Sequence, residues 1–289
     1  MNRKEALQLM ATGSAVIGTS LTGTLQSCEP PKTPTLKGNI KHSACQWCYG
    51  DMPLEELFEN ARDIGLVGID LLNPDQWALA EKYGLTTTMA YPEKSSLTEG
   101  FNDPNHHPWL LESYTNSIPK AQDAGLKNMI CFSGNRNGID DETGLENCAV
   151  GLEPLVKLAE KHNIILQMEL LNSKVNHPDY QCDKSDWGVK LVEKMGSPNF
   201  KLLYDIYHMQ IMEGDVIATI RKNQKYYGHY HTGGVPGRNE INDTQELNYP
   251  AIMKAILETG YEGYVAQEFV PTYEDKMEAL REGVMICDV

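Results

Sequence analysis

The sequence predicts a single-domain (β/α)8 barrel that follows an N-terminal signal segment. The chain has 289 residues, 41% of them hydrophobic, which is enough to bury one large core. After residue 38, eight short apolar runs alternate with stretches of helical periodicity. They extend over about 250 residues, the usual size of such a barrel. No Gly-rich phosphate-binding loop follows the first apolar run at Trp47-Cys48-Tyr49-Gly50, which disfavours a doubly wound open sheet.

The eight apolar runs have the length and residue types of buried strands. The segments between them have the spacing of amphipathic helices, as in Leu54, Leu57, Phe58 and Ala61, and several end at a glycine such as Gly65. The predicted strands are Asn39–Trp47, Val67–Leu72, Thr86–Tyr91, Asn128–Phe132, Ile164–Glu169, Lys201–Asp205, Tyr227–His231 and Tyr264–Glu268.

Residues 1–28 differ from the rest and predict an export signal of the lipoprotein type. A basic start at Arg3 and Lys4 precedes an apolar or small stretch, and Leu25-Gln26-Ser27-Cys28 resembles a bacterial lipobox, whose cysteine is lipidated. Residues 29–38 are predicted to form a proline-containing linker, and residues 39–289 the catalytic barrel. We therefore expect an exported, periplasmic or cell-envelope lipoprotein that meets the membrane only through its lipid anchor. A frayed N-terminal helix on a cytoplasmic protein is the alternative.

The charge of the chain limits its partners. With 40 acidic and 25 basic residues the formal net charge is −15, and no Lys/Arg cluster is visible, so we expect no nucleic-acid partner. Cys45 and Cys48 form a Cys-x-x-Cys pair in an apolar run without a second such pair, which favours buried thiols over a redox or zinc site. A disulfide is the remaining option in an exported protein.

Four of the predicted strands end in a charged or imidazole side chain: Glu169, Asp205, His231 and Glu268. In a barrel these strand ends surround one mouth, the face that carries active sites. Three buried carboxylates and an imidazole would repel one another or lose their charge unless a cation neutralises them. The oxygen-rich set with one nitrogen predicts one divalent metal ion, Mn²⁺ or Mg²⁺ before a structural zinc.

Four segments around these residues resemble the sugar-phosphate isomerase/epimerase proteins of the xylose-isomerase-like superfamily, and within it the hydroxypyruvate isomerase family. They are Met168–Asn172, Tyr204–Gln210, His231–Arg238 and Gly263–Phe269. The D-x-Y-H-x-Q and V-P-G-R motifs among them are fairly specific, and the resemblance extends over essentially the whole chain from residue 39. It implies the barrel fold and a small-molecule substrate, either a sugar or a hydroxy-keto acid.

The resemblance also implies roles for single residues. Glu169 and Glu268 would be the catalytic acid and base, and His208 and Arg238 would bind the substrate. The metal ligands would be Glu169, Asp205, His231 and Glu268.

The predicted activity is that of a divalent-metal-dependent isomerase, which moves a proton on an α-hydroxycarbonyl substrate through an enediolate, as hydroxypyruvate isomerases do. A sugar 3-epimerase or a keto-sugar lyase of the same superfamily is the alternative, since 3-epimerases resemble this chain in having His at the position of His231. Val175 differs from them, because they carry a second Glu there. An exported sugar-binding lipoprotein is the non-enzymatic alternative, and it would not need two carboxylates around a metal.

Three further segments are weaker candidates for substrate contact. Asn105–Trp109 lies in a loop after the third strand, and Ser133–Arg136 follows the fourth. Trp47 and Tyr91, at the ends of the first and third strands, would form either a stacking wall for a sugar or ordinary core.

Overall fold

The computed structural model describes residues 35–289, which form a closed barrel of eight parallel strands in chain order. The strands are β1 Lys41–Cys45, β2 Gly68–Leu72, β3 Thr86–Ala90, β4 Asn128–Cys131, β5 Ile165–Glu169, β6 Phe200–Asp205, β7 Tyr227–Thr232 and β8 Tyr264–Gln267. Strand β1 pairs with both β2 and β8, which closes the sheet. The predicted (β/α)8 architecture is confirmed.

Helices connect the strands and pack on the outside of the barrel. In the described part of the chain they are α1 Leu54–Ile64, α2 Trp77–Lys82, α3 His107–Asp123, α4 Asp141–His162, α5 Ser185–Met195, α6 Ile206–Met212, α7 Val216–Asn223, α8 Tyr249–Glu258 and α9 Lys276–Cys287. Short 3₁₀ turns occupy Gln46–Tyr49, Pro104–His106 and Gln224–Tyr226. The apolar face predicted for α1 is buried, with Leu57, Phe58 and Ala61 fully inaccessible.

Polar residues fix several helix ends. Asp140, Asp205 and Asp275 each accept hydrogen bonds from backbone N–H groups in the first turn of α4, α6 and α9, respectively. Gly65 ends α1 with a φ of 101°, in the left-handed region that glycine adopts without strain. Asp205 is therefore both the last residue of β6 and the N-cap of α6.

The predicted strand bounds agree with the structure to within one residue, except for the first strand. Asn39–Trp47 was too long, because the strand covers only Lys41–Cys45 and the chain then turns into the 3₁₀ segment that holds Trp47. Cys48 and Tyr49 in this turn are buried. A buried turn is as apolar as a buried strand, so hydrophobicity alone does not show where the strand ends.

The predicted export signal and most of the linker lie outside the described residues, so the domain boundaries and the location of the protein stay predictions. Within residues 35–289, no helix combines the length and the apolar character needed to cross a bilayer. The cysteines in this part of the chain are buried free thiols, and Cys45 and Cys48 are not joined by a disulfide.

Candidate functional site

The structure brings the four predicted ligand residues together at the carboxyl ends of neighbouring strands. Glu169 and Asp205 are the last residues of β5 and β6, His231 is the penultimate residue of β7, and Glu268 directly follows β8. Asp205 is the register partner of His231. All four side chains are buried, and each offers a ligand atom within 4.8 Å of those of the others.

His231 lies at the centre of this cluster. Its Nδ1 is 2.7 Å from Oε2 of Glu268 and 3.3 Å from Oε1 of Glu169. Oε1 of Glu169 is buried and accepts no hydrogen bond within the described residues. A buried carboxylate oxygen without a donor is costly, so this atom is suited to receive a cation or a proton.

The charge state of the cluster reflects its burial. Burial raises the pKa of Glu169 and, well above the ordinary value, that of Asp205, and the neighbouring charge of Glu268 adds to both. Burial alone would also raise the pKa of Glu268, but the charges of Arg238 and His231 outweigh it and hold this pKa well below the ordinary value. The cluster has more carboxylates than it can keep ionised without additional positive charge.

These residues fit a divalent metal ion. Three carboxylates and one imidazole nitrogen form an oxygen-rich set of the kind that hard or intermediate divalent ions prefer. Without a cation, the negative charge of such a ligand set is not balanced. Two observations agree with this: Oε1 of Glu169 is unpaired, and the pKa values of Glu169 and Asp205 are raised.

Arg238 reaches the cluster from the loop after β7. Its Nη2 donates to Oε2 of Glu268 at 2.6 Å and to Oδ2 of Asp205 at 3.4 Å. The guanidinium carbon lies 5.0 Å from the ring centroid of Trp47 and 5.3 Å from that of Tyr207, so both aromatic rings lie close to it. Two carboxylates and two aromatic rings therefore hold the guanidinium of Arg238 in place.

The loop that carries Arg238 depends on glycine. A Cβ on Gly234 would lie 2.3 Å from the carbonyl oxygen of Glu240, so only glycine fits this approach. Gly237 has a φ of 95° and Arg238 itself a φ of 60°. A positive φ at a residue other than glycine is strained, and such strain is often found at functional sites.

His208, on the first turn of α6, faces the same cluster. Its Nδ1 accepts from the backbone N–H of Asn172 at 3.1 Å and from the side-chain amide at 2.6 Å. Burial, aided by the charge of Arg238, holds the pKa of His208 well below its ordinary value. The ring is therefore neutral, with its proton on Nε2, which lies 3.6 Å from Oδ2 of Asp205 and has no hydrogen-bond partner within residues 35–289. This N–H is a buried donor without an acceptor among the described residues.

A cavity of about 280 Å³ opens in front of the cluster. Glu169, Glu268, Arg238 and His177 contribute its polar part. The rest of its wall is apolar or aromatic and consists of Trp47, Leu71, Tyr91, Leu97, Phe132 and Leu171. Trp47 and Tyr91 both line the cavity, whereas their stacking on a sugar stays a prediction. Trp47 also donates from Nε1 to Oε1 of Glu268 at 2.8 Å.

Comparison with known proteins agrees with this fold. The profile of the family described as "Xylose isomerase-like TIM barrel" matches residues 49–285. The chain belongs to this xylose isomerase-like TIM barrel family. It is 26% identical to the hydroxypyruvate isomerase of Escherichia coli K12 over 234 residues, which are 77% of this chain and 90% of that protein. It is 33% identical to the 2-oxo-tetronate isomerase of Cupriavidus necator over 129 residues, which are 45% of this chain.

Several matches are partial. The aligned segment spans 47% of the C. necator protein, and a human relative at 32% identity is matched over 40% of its length. Among solved structures of the same fold, an AP endonuclease of family 2 from Brucella melitensis has a TM-score of 0.74 at 22% identity, covering 85% of this chain and 96% of that one. The apo 3-keto-D-glucoside 4-epimerase from E. coli has a TM-score of 0.71 at 17% identity, covering 85% of this chain and 98% of that one.

In this member of the family, the weaker candidate segments have structural roles. Asn105–Trp109 includes the start of α3, where His107 donates from Nε2 to the carbonyl of Phe101 at 2.8 Å. Arg136 binds Asp183 at 3.0 Å and also contacts Asp141. Neither segment lines the cavity in front of the cluster, so the structure does not add to the evidence for a substrate contact by either of them.

The sequence interpretation missed Asp70, a fully buried residue in the middle of β2. Its Oδ2 accepts from Nε2 of His229 at 2.6 Å and from Nε2 of His231 at 3.0 Å. The signal was present, because Asp70 is a single charged residue inside the apolar run of residues 67–72. The missed residue lies on the far side of His231 from Glu169 and Glu268.

Proposed function

We propose that the protein is a divalent-metal-dependent isomerase of small α-hydroxycarbonyl compounds that works through an enediolate. The observation that carries the proposal is the convergence of Glu169 and Glu268 on one cavity, beside a ligand set suited to a divalent ion. The relatives named hydroxypyruvate isomerase and 2-oxo-tetronate isomerase support the reaction class. When bound, the ion would supply positive charge that stabilises the enediolate.

Glu169 is the better placed of the two carboxylates to remove a proton. Its Oε1 is not engaged by a donor, and burial raises its pKa, which makes it a stronger base than an exposed glutamate. It would take the proton from the carbon that bears the substrate hydroxyl. The electron pair left behind forms the carbon–carbon double bond of the enediolate, and the carbonyl oxygen gains the negative charge.

Glu268 and His208 would complete the proton transfers. Glu268 lies beside Glu169 across His231, so it can act at the neighbouring carbon of the same substrate. The proton taken up by Glu169 would pass to Glu268 and from there to that carbon, so both carboxylates end ionised as they began, and the carbonyl moves by one position to complete the isomerisation. His208, with its N–H on Nε2, would donate a hydrogen bond to a reacting oxygen. It would thereby assist transfer of the hydroxyl proton to the former carbonyl oxygen.

Solvent exchange tests this reaction without knowledge of the physiological product. Protein supplied with Mn²⁺ or Mg²⁺ in D₂O should replace the α-hydrogen of its substrate by deuterium, which proton NMR detects across a panel of hydroxypyruvate, neutral ketoses and 3-keto sugars. Removing the ion with a chelator should slow exchange by at least about 100-fold, and adding the ion back should restore it. Undiminished exchange in excess chelator would contradict the metal requirement. A sugar-binding lipoprotein would bind a panel member without any exchange.

One observation favours a second candidate, a sugar epimerase or keto-sugar lyase with a neutral substrate. Arg238 is the single cationic side chain lining the cavity within the described residues, and it is already paired with Glu268 and Asp205. A substrate carboxylate would have to displace these partners. The apolar wall of the cavity instead suits the C–H face of a sugar.

Arg238→Lys separates the two candidates, because a lysine cannot reproduce the planar fork of a guanidinium. If the substrate carries a carboxylate that Arg238 grips, kcat/KM for hydroxypyruvate should fall by about 10–100-fold more than for neutral ketoses. If the substrate is neutral, hydroxypyruvate should react poorly with the wild type, and the variant should lose a similar factor on every substrate. Near-wild-type turnover of both substrate types by the variant would remove Arg238 from the site.

A further inference from the structure

We propose that Asp70 is a positioning residue that holds the His231 ring with Nδ1 turned toward Glu169 and Glu268, and so determines how tightly this site binds a divalent ion. The proposal rests on the proposed metal-dependent function and adds a residue to it. Asp70 itself lies on the opposite side of the ring, where it touches Nε2 rather than the nitrogen that faces the carboxylates.

Asp70 is anchored by four donors. Its Oδ1 accepts from the hydroxyls of Ser43 and Thr88, on β1 and β3. Its Oδ2 accepts from Nε2 of His229 and Nε2 of His231, both on β7. All five side chains are buried. A carboxylate held by hydrogen bonds from three strands has little freedom to move, so it can define the position of the ring it contacts.

This contact also selects the tautomer of His231. An ionised carboxylate can only accept hydrogen bonds, so the ring must carry a proton on Nε2. When the ring gives up its other proton, as binding of a metal ion requires, the lone pair is on Nδ1, which faces the predicted ligand oxygens of Glu169 and Glu268. That is the form in which an imidazole binds a metal ion, and a carboxylate behind the ring commonly fixes it.

The backbone of β2 is distorted at this residue. The pairing of β2 with β3 shifts register on both sides of Asp70, and Leu71 has a φ of 63°. In a regular strand, consecutive side chains point to opposite faces. The irregularity lets Asp70 contact the histidines inside the barrel while Leu71 lines the cavity. Backbone strain of this kind is often found at functional sites, and here it accompanies the placement of Asp70 against the histidines.

A second cation site is the rival explanation. Cys45, Asp70 and His231 also have ligand atoms within 4.8 Å of one another. However, Asp70 already accepts hydrogen bonds on both of its oxygens, and burial raises the pKa of the Cys45 thiol well above its ordinary value. A positioning role therefore fits these contacts better than a second ligand set. The number of ions bound per chain distinguishes the two.

The experiment measures Mn²⁺ binding to the full chain by competition with a fluorescent chelator, in the wild type and in Asp70→Asn and Asp70→Ala. We expect one ion per wild-type chain and an affinity about 10–100-fold lower in the variants. Electron-nuclear double resonance on the bound Mn²⁺ should show the ¹⁴N coupling of a coordinated imidazole in the wild type, and a weakened or lost coupling in Asp70→Ala. This spectroscopic signature would not change if Asp70 only stabilised the fold.

Two controls keep the test decisive. Asp183→Asn changes another buried carboxylate, which pairs with Arg136 outside the cluster, and it should leave Mn²⁺ affinity within about twofold of wild type. If the Asp70 variants fail to fold, Thr88→Val removes one donor to Asp70 with little change in volume. It should lower the affinity in the same direction by a smaller factor.

The outcomes separate this proposal from the proposed function. A wild type that binds no Mn²⁺ would overturn the metal-dependent function itself. A wild type that binds one ion, with unchanged affinity and ¹⁴N coupling in folded Asp70 variants, would overturn only the role of Asp70. Two ions per wild-type chain, with one lost in Asp70→Asn, would show that Asp70 is a ligand and would also overturn the positioning role.

Discussion

Glu169→Gln is expected to lower kcat by about 10²–10⁴-fold while the barrel stays folded, because glutamine has the same shape but cannot accept the α-proton. The side chain ends β5 and presents an oxygen without a hydrogen-bond donor to the cluster. The substitution also removes one anionic ligand, so the affinity for the divalent ion should fall. Steady-state kinetics at saturating ion concentration separate the two effects, because only the loss of the base persists there.

The fold of this variant is checked by thermal unfolding with and without the ion. A folded Glu169→Gln protein that retains more than a tenth of the wild-type kcat at saturating ion concentration would remove Glu169 from the proton transfer. Solvent deuterium exchange should fall by the same factor as turnover, since both reactions use the same proton abstraction.

Asp205→Asn is expected to abolish tight binding of the ion and, with it, turnover. Asp205 is fully buried in the cluster and contributes a carboxylate that a neutral amide does not replace. Asparagine remains a good N-cap, so it can still accept the hydrogen bond that Asp205 accepts from the backbone N–H of His208 at 3.0 Å. The loss should therefore come from the charge rather than from the start of α6.

The same substitution should stabilise the metal-free protein at neutral pH. Burial raises the pKa of Asp205 well above its ordinary value, so the ionised side chain opposes folding, and this cost appears as the pH rises above the pKa of the unfolded chain. Asparagine has no such charge. Without the ion, the melting temperature of Asp205→Asn should exceed that of the wild type at pH 7 and approach it at low pH, and with the ion the order at pH 7 should reverse. A lower melting temperature than wild type at pH 7 without the ion would contradict this charge-balance account.

The sequence predicted the barrel and its cluster for a simple physical reason. Glu169, Asp205, His231 and Glu268 each interrupt an apolar run at its end, and parallel barrel strands bring their carboxyl ends to one face. For these residues, the place along the strand is therefore enough to predict that their side chains meet at one end of the barrel.

The rest of the site depends on contacts that no single segment reveals. Asp70 is in the middle of its strand, and its role appears only when β1, β2, β3 and β7 are adjacent. Asn172 fixes the tautomer of His208 across the space between two strands. The resemblance implied that Arg238 binds the substrate, but its pairing with Glu268 and Asp205 becomes visible only in the fold. These features follow from distances between side chains that are remote in sequence.

The most direct test of the central claim is anomalous diffraction from crystals of the protein grown with Mn²⁺. We expect one anomalous peak per chain, bounded by Glu169, Asp205, Glu268 and Nδ1 of His231, with Nε2 of the same ring still hydrogen-bonded to Asp70. A fully active preparation whose crystals show no peak among these four residues, or a peak elsewhere in the barrel, would contradict it.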